Sequence, residues 1–371
     1  MGIFNMKKIA LILSLLPIAA FAESDAGAAL NETISLVRSQ CSGISAKMEN
    51  IKKMAGIGTA VNAVGTVTGV GGVASGIVKY QKDKVIINLK EQKANVDLII
   101  EFLEAEQEKD GNGYLLLADK VLDANFLALI TSLQERDAMY VSKDSDGDPE
   151  YYSFTSEPTA ADDKADNKKI IDAYKAESNK LQAEIDKTQK QSTAAGNART
   201  ALFAVDTATN VAGAVVSSKT VADEDLIEQI KKCKESVELL KTARMRAQIE
   251  DTSDLQAMNV SQNILNKCGE YQYLDLSKLN SLAKGAIVTN SVGAVSGTAA
   301  TITSALGNNK KISDLDNDAT QKNMKMNMAS NVLGGVTTAA SLTGTALNAS
   351  QIVEAKKIVN VSQECEETLQ W

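Results

Sequence analysis

The stretch Asn62-Ala63-Val64-Gly65-Thr66-Val67-Thr68-Gly69 returns 228 residues later as Asn290-Ser291-Val292-Gly293-Ala294-Val295-Ser296-Gly297. Its spacing decides the fold. Ile44, Met48, Ile51, Ala55, Gly58, Asn62, Gly65, Gly69, Gly72 and Gly76 keep a 3-4 interval, as do Leu276, Leu279, Ala283, Ala286, Asn290, Gly293, Gly297, Ala300 and Ser304 in the copy. That period belongs to a helix seam. A seam that passes from Ile and Met into Gly, Asn and Ser lets two helix backbones approach closely at one end. Each Gly costs about 1 kcal/mol relative to Ala in a helix interior, so close packing has to compensate.

A second similarity, at an offset of 131, links Ala204-Val205-Asp206-Thr207-Ala208 and Gly213 with Gly335-Val336-Thr337-Thr338-Ala339 and Gly344. The two offsets together describe a tandem duplication, each unit running Cys, small-residue helix, small-residue helix, Cys. The expected organisation is a signal segment over 1–22, a first helical hairpin unit over 23–250 and a second over 251–371. The expected fold is all-α, an elongated bundle of two antiparallel hairpins with Gly/Ala seams.

The four cysteines follow the same arithmetic. Cys41 lies 24 residues before Gly65 and Cys233 lies 20 after Gly213, while Cys268 lies 25 before Gly293 and Cys365 lies 21 after Gly344. If the glycines cross within each hairpin, the cysteines meet at its open end. Cys41 is therefore expected to pair with Cys233, and Cys268 with Cys365. Closing loops of this length stabilises a chain by roughly 4 to 5 kcal/mol each in the chain-entropy model.

Proline placement supports long helices. Of three prolines, Pro17 falls in the signal segment, and Pro149 and Pro158 both fall in one polar stretch, 140–163. Between the two helices of the first unit sits an insertion over about 80–191, expected to form a helical arm. It contains a helix through Val85, Leu89, Val96, Ile100 and Leu103, a break at Asp110-Gly111-Asn112-Gly113 and a further helix over Tyr114–Met139. A coiled-coil-like helix then starts near Asp163 on the seam Ile171, Tyr174, Ser178, Leu181, Ile185 and Thr188. The arm's tip gathers Tyr140, Tyr151, Tyr152 and Phe154 among acidic residues, a candidate interaction loop. Asp144-Ser145-Asp146-Gly147-Asp148 begins like a calcium loop, but Pro149 and Thr155 stand where Gly and Glu are needed.

Lys7 and Lys8 before an apolar run, then Ala20-Phe21-Ala22, form an export signal with a small-x-small cleavage site. Its removal takes the net charge from -8 to -10, because two lysines and no acids leave. A bacterial periplasmic or extracellular location is expected, with the disulfides oxidised there.

Composition excludes much chemistry. The chain holds no His, so triad catalysis and His-ligated metals are ruled out, and its sequence pI of about 5.0 argues against nucleic acid. Ser281-Leu282-Ala283-Lys284 matches S-x-x-K without the companion motifs. No enzyme activity, cofactor or metal is expected.

Three stretches carry no charge: Ala55–Val78 (24 residues), Gly285–Asn309 (25) and Asn327–Val353 (27); Asp206 interrupts the fourth helix. Each is long enough for a bilayer. The leading expectation is an exported structural or protein-interaction component of the envelope or surface, binding partner helices or copies of itself. The alternative is a membrane-inserting protein built on these hairpins, and a β-rich reading of the Gly/Val/Thr runs is the third.

Overall fold

The computed structural model describes residues 26–107, 139–143, 149–152, 161–250 and 254–370. The expected signal segment, the break at 110–113, residues 114–138 of the helix expected over Tyr114–Met139, the calcium-like loop 144–148 and Phe154 lie outside the described residues.

The fold is all-α. In chain order the helices are α1 (Ala26–Cys41), α2 (Ile44–Gln107), α3 (Ala161–Ser218), α4 (Glu224–Ile249), α5 (Leu255–Cys268), α6 (Leu276–Asn308) and α7 (Asn317–Leu369), with single 3-10 turns at Gly269–Tyr273 and Ile312–Asp314. Gly43, at φ 79°, makes the left-handed turn between α1 and α2. Asp223 caps α4 by accepting from the Leu226 amide at 2.8 Å, and Glu224 and Asp225 follow in its first turn. Asp254 caps α5 through the Ala257 amide and also accepts from Asn31 Nδ2 of α1 at 3.2 Å.

Two details of the arm differ from expectation. The helix through Val85 to Leu103 is not a separate element: no Gly or Pro falls between 77 and 107, and α2 runs on without a break. The tip is not simply a loop, because Met139–Lys143 and Pro149–Tyr152 pair as an antiparallel β-hairpin, β1 and β2, with Tyr140 opposite Tyr151. The β-branched and aromatic residues there suit a strand, and Pro149 occupies its first position, where no ladder donor is lost.

The chain divides into two compact units, each drawing on both halves of the sequence: residues 1–67, 205–296 and 336–371, and residues 68–204 and 297–335. In the first, α1 and α5 pack against α4 around an ordinary apolar cluster that includes Leu30, Ile44, Met48, Leu226, Leu240, Ile264, Tyr271 and Leu279. The disulfides Cys41–Cys233 (Cα–Cα 4.8 Å) and Cys268–Cys365 (4.7 Å) sit within it, paired as the spacing predicts. They point to an oxidising, extracytoplasmic compartment. Lys278 to Glu354 and Gly293 to Ala340 set α6 antiparallel to α7, while Ser45 to Glu366 and Gly58 to Asn348 do the same for α2 and α7. In the second unit, Gly72 beside Phe203 and Asp97 bonded to Ser178 set α2 antiparallel to α3.

Candidate functional site: a polar interior under an apolar exterior

Helices α2, α3, α6 and α7 each bury one seam at 3-4 spacing. On α2 the buried positions include Asn62, Gly65, Gly69, Gly72 and Gly76, and on α6 Asn290, Gly293 and Gly297, so all eight residues of the expected packing seam face inward. On α3 and α7 the inward positions are equally polar or small: Asp206, Asn210, Gly213 and Ser217 on one, and Thr337, Ser341, Gly344 and Asn348 on the other.

The glycines have a specific partner that the sequence pattern does not reveal. A Cβ placed on Gly58, Gly76, Gly196, Gly213, Gly293, Gly307 or Gly344 would lie closer than 3.0 Å to a side-chain atom of Asn348, Asn331, Asn308, Asn62, Asn210, Asn327 or Asn290, respectively. Each asparagine thus lays its amide on the bare backbone of a neighbouring helix. The buried Oδ1 atoms of Asn62, Asn210, Asn290, Asn308 and Asn331 have no ordinary donor. Glycine Cα–H groups are what they meet, a weak bond worth about 0.5 to 1 kcal/mol that requires this close approach. The signal was present as Asn recurring in the seams. Sequence reasoning treated Asn62 and Asn290 as seam members and did not see that they fill the glycine hollows.

In the first unit, Asn210 Nδ2 donates to Asp206 Oδ1 (3.0 Å), the Asp206 carbonyl (2.8 Å) and Ser341 Oγ (2.8 Å), and Ser341 Oγ donates to Asp206 Oδ1 (2.8 Å). In the second, Phe203 lies between Gly72 and Gly334. Beyond it a charged cluster is fully enclosed: Lys79 pairs with Asp83 at 3.0 Å, Ser192 donates to Asp83, and Arg199 donates to Ser304 Oγ and Asn327 Oδ1, both at 2.8 Å. Asn327 Nδ2 closes the network on Asp83 Oδ2 at 3.3 Å.

The exterior is the reverse. Ile57, Val64, Val67, Val70 and Ile77 of α2, Val205, Val211 and Val215 of α3, Val288, Val292, Val295, Ile302 and Leu306 of α6, and Met328, Val332, Leu342 and Val353 of α7 are exposed. Val67 is 73% and Val295 74% accessible, whereas Asp206 and Arg199, the charges on α3 between Lys190 and Lys219, are at 0%. Burying one such aliphatic side chain is worth about 1.5 to 3 kcal/mol, so in water this arrangement forfeits its main driving force many times over.

In the apolar cluster of the first unit, burial pushes the Tyr271 phenol well above the ordinary tyrosine range. Of the candidate interaction loop, Tyr140, Tyr151 and Tyr152 lie on the two strands of the hairpin. Among the described residues no group of three or more Cys, Asp or Glu is placed to hold a metal ion. No family model, no curated protein and no solved structure matches this chain.

Proposed function

We propose that this chain is an exported, non-enzymatic envelope protein whose four long helices insert in a lipid bilayer and serve as a structural anchor. The observation that carries the reading is the inverted polarity: charge-free stretches on α2, α6 and α7, and the stretch of α3 that Arg199 and Asp206 interrupt, turn Val, Ile and Leu outward and Asn, Ser, Gly, Asp and Arg inward. Buried charges and amides that face a bundle interior, with small residues where helices meet, are what hydrocarbon surroundings select. Ala55–Val78 is 24 residues, about 36 Å at 1.5 Å per residue, against a hydrocarbon core of about 30 Å. Exposed lysines flank the stretches, Lys53 and Lys84 on α2, Lys284 and Lys310 on α6, Lys325 and Lys356 on α7, where their ammonium groups reach the interface.

Four passes in the order α2, α3, α6, α7 put α1, the α4–α5 segment and the carboxyl terminus on one side. That side holds all four cysteines, so it is the extracytoplasmic one.

The same geometry supports a tandem duplication. Asn210 bonds Ser341, Ser217 bonds Asn348 and Gln351 bonds Thr220, each pair 131 residues apart, and Asn62 and Asn290, 228 apart, both lie against Gly213 and Gly344. Residues that meet their own repeat equivalents are those near a two-fold axis relating two hairpins.

Alkaline carbonate washing of membranes tests the anchor. The chain should stay with the lipid fraction and need detergent for release. Complete release as a detergent-free monomer would sink the reading. A second reading rests on hydropathy, since among the described residues only two helical stretches, those of α2 and α3, contain a segment apolar enough to qualify as a candidate span. In it, copies of this chain cover the valine faces in water, and sedimentation of the released protein would show a defined oligomer. In either case the Tyr-bearing hairpin of the arm is the surface offered to protein partners, and its deletion should leave the anchor intact.

A further inference from the structure

We propose that six exposed lysines of the second unit form a collar that binds the headgroups of anionic phospholipids. The proposal rests on the bilayer reading above and names the lipid that the anchor prefers. Lys84 on α2, Lys190 on α3, Lys310 and Lys311 just past the end of α6, and Lys322 and Lys325 on α7 are all exposed. Contacts inside the unit hold them at one level. Lys79 donates to Ser192 Oγ at 3.2 Å, joining α2 to α3, and Asn327 Nδ2 donates to Asp83 Oδ2 at 3.3 Å, joining α7 to α2. Asn323 Nδ2 donates to the Gly307 carbonyl at 3.0 Å, joining α7 to α6, and the Ser313 amide donates to Gln189 Oε1 at 3.1 Å, joining the turn after α6 to α3. Each of the six lysines stands within three residues of one of these bonded groups.

Charge and position together select the ligand. Over 74–90, 187–204, 299–311 and 319–335 the only acid is Asp83, which is buried and paired with Lys79. None of the six lysines forms an ion pair among the described residues, whereas Lys52, Lys278 and Lys357 of the first unit are held by Glu49 or Glu354. Acids return at Asp186 and Asp318, one turn further from the apolar stretches, and neither bridges Lys190 or Lys322. On its other side the collar borders the exposed Ile77, Ile302, Leu306 and Met328. Tyr80, at the same level, has the Lys84 ammonium 4.9 Å from its ring centre, an aromatic and a lysine where membrane helices place both. An anion that meets these ammonium groups beside aliphatic side chains brings hydrocarbon of its own, which describes a phospholipid of net negative headgroup. A soluble polyanion gains nothing from the aliphatic border and meets a chain of net charge -8.

The test is lipid retention by the purified full chain, reconstituted from detergent into phosphatidylcholine vesicles in which about one third of the lipid is phosphatidylglycerol. After re-extraction in mild detergent, the lipid that stays with the chain should be enriched in phosphatidylglycerol about fivefold over the bulk ratio, and less so at high salt. A variant carrying Lys310→Gln, Lys311→Gln and Lys325→Gln should retain lipid close to the bulk ratio. An equal loss of charge on α4, as Lys231→Gln, Lys232→Gln and Lys241→Gln, should leave the enrichment unchanged. All six positions are exposed, so both variants should fold and give the circular dichroism of the wild type. Retention at the bulk ratio by the wild type, or equal ratios in the two variants, would overturn the collar. Insertion is scored separately, by resistance to carbonate in vesicles of phosphatidylcholine alone. A chain that resists washing there and shows no enrichment keeps the anchor and overturns the collar, while a chain washed from both kinds of vesicle overturns the two together.

Discussion

Replacing Gly293 by alanine tests whether the asparagine-on-glycine contact sets the distance between α3 and α6. The new Cβ would sit 2.5 Å from Asn210 Cγ and 3.1 Å from Ala340 Cβ, well inside ordinary van der Waals separation. Asn210 cannot swing aside freely, because its Nδ2 holds the Asp206 carbonyl, Asp206 Oδ1 and Ser341 Oγ at 2.8 to 3.0 Å. Either those bonds break, at about 1 kcal/mol each, or the helices part, and overpacking of this kind costs about 1 to 3 kcal/mol. Alanine returns up to about 1 kcal/mol of helix propensity. The expected net effect is a loss of about 1 to 2 kcal/mol, read as a fall of several degrees in the thermal midpoint by circular dichroism. Gly335→Ala is the matched control: it sits on the exposed face with nothing within 4 Å of its Cβ, and should gain about 0.5 to 1 kcal/mol. A Gly293→Ala protein as stable as Gly335→Ala would refute the reasoning, since the hollow would then be unnecessary to the packing.

Other perturbations probe separate parts of the molecule. Phe203→Ala removes a ring that is fully buried between Gly72 and Gly334, and should cost about 3 to 5 kcal/mol in denaturant unfolding. Tyr271 has its folded value raised above the ordinary one of about 10, so the stability it contributes is complete below pH 10 and fades as pH rises beyond it. Alkaline unfolding of the wild type should therefore be steeper than that of Tyr271→Phe, and superimposable curves would count against a buried neutral phenol. Val295→Lys places a charge at a position 74% accessible in the isolated chain. In water it should change stability by less than about 0.5 kcal/mol, whereas at a lipid-facing site it should cost about 2.5 to 3.5 kcal/mol and reduce the membrane-bound fraction.

The seams were legible because their information is local. A 3-4 interval sustained from Ile44 to Gly76 can only be one face of a helix, and the distances from Cys41, Cys233, Cys268 and Cys365 to the nearest seam glycines encode which helices run side by side. Packing of α1 and α5 against α4 was not legible, since nothing in Ala26–Cys41 names its neighbour; that contact depends on the turn at Gly43 and on the Asn31–Asp254 bond across more than two hundred residues. The hairpin at Tyr140 and Tyr151 was hidden for another reason. Its strands are five and four residues long, too short for a period to emerge beside the acidic residues that read as a turn.

The direction of polarity was the largest thing missed, and it could not have been read from hydropathy. Val64 and Gly65 are adjacent, both uncharged, and average into the same apolar run, yet one faces outward and the other meets Thr209 and Ser341. What decides between them is volume. Four backbones drawn together by glycine leave room for an asparagine amide and no room for a branched side chain, so the valines are expelled by size although they are the more hydrophobic residues. A soluble bundle would resolve that conflict by enlarging the seam and burying valine. This chain keeps the seam small and repeats the choice on all four helices, an arrangement that the proposed bilayer anchor would accommodate by giving the valines apolar surroundings.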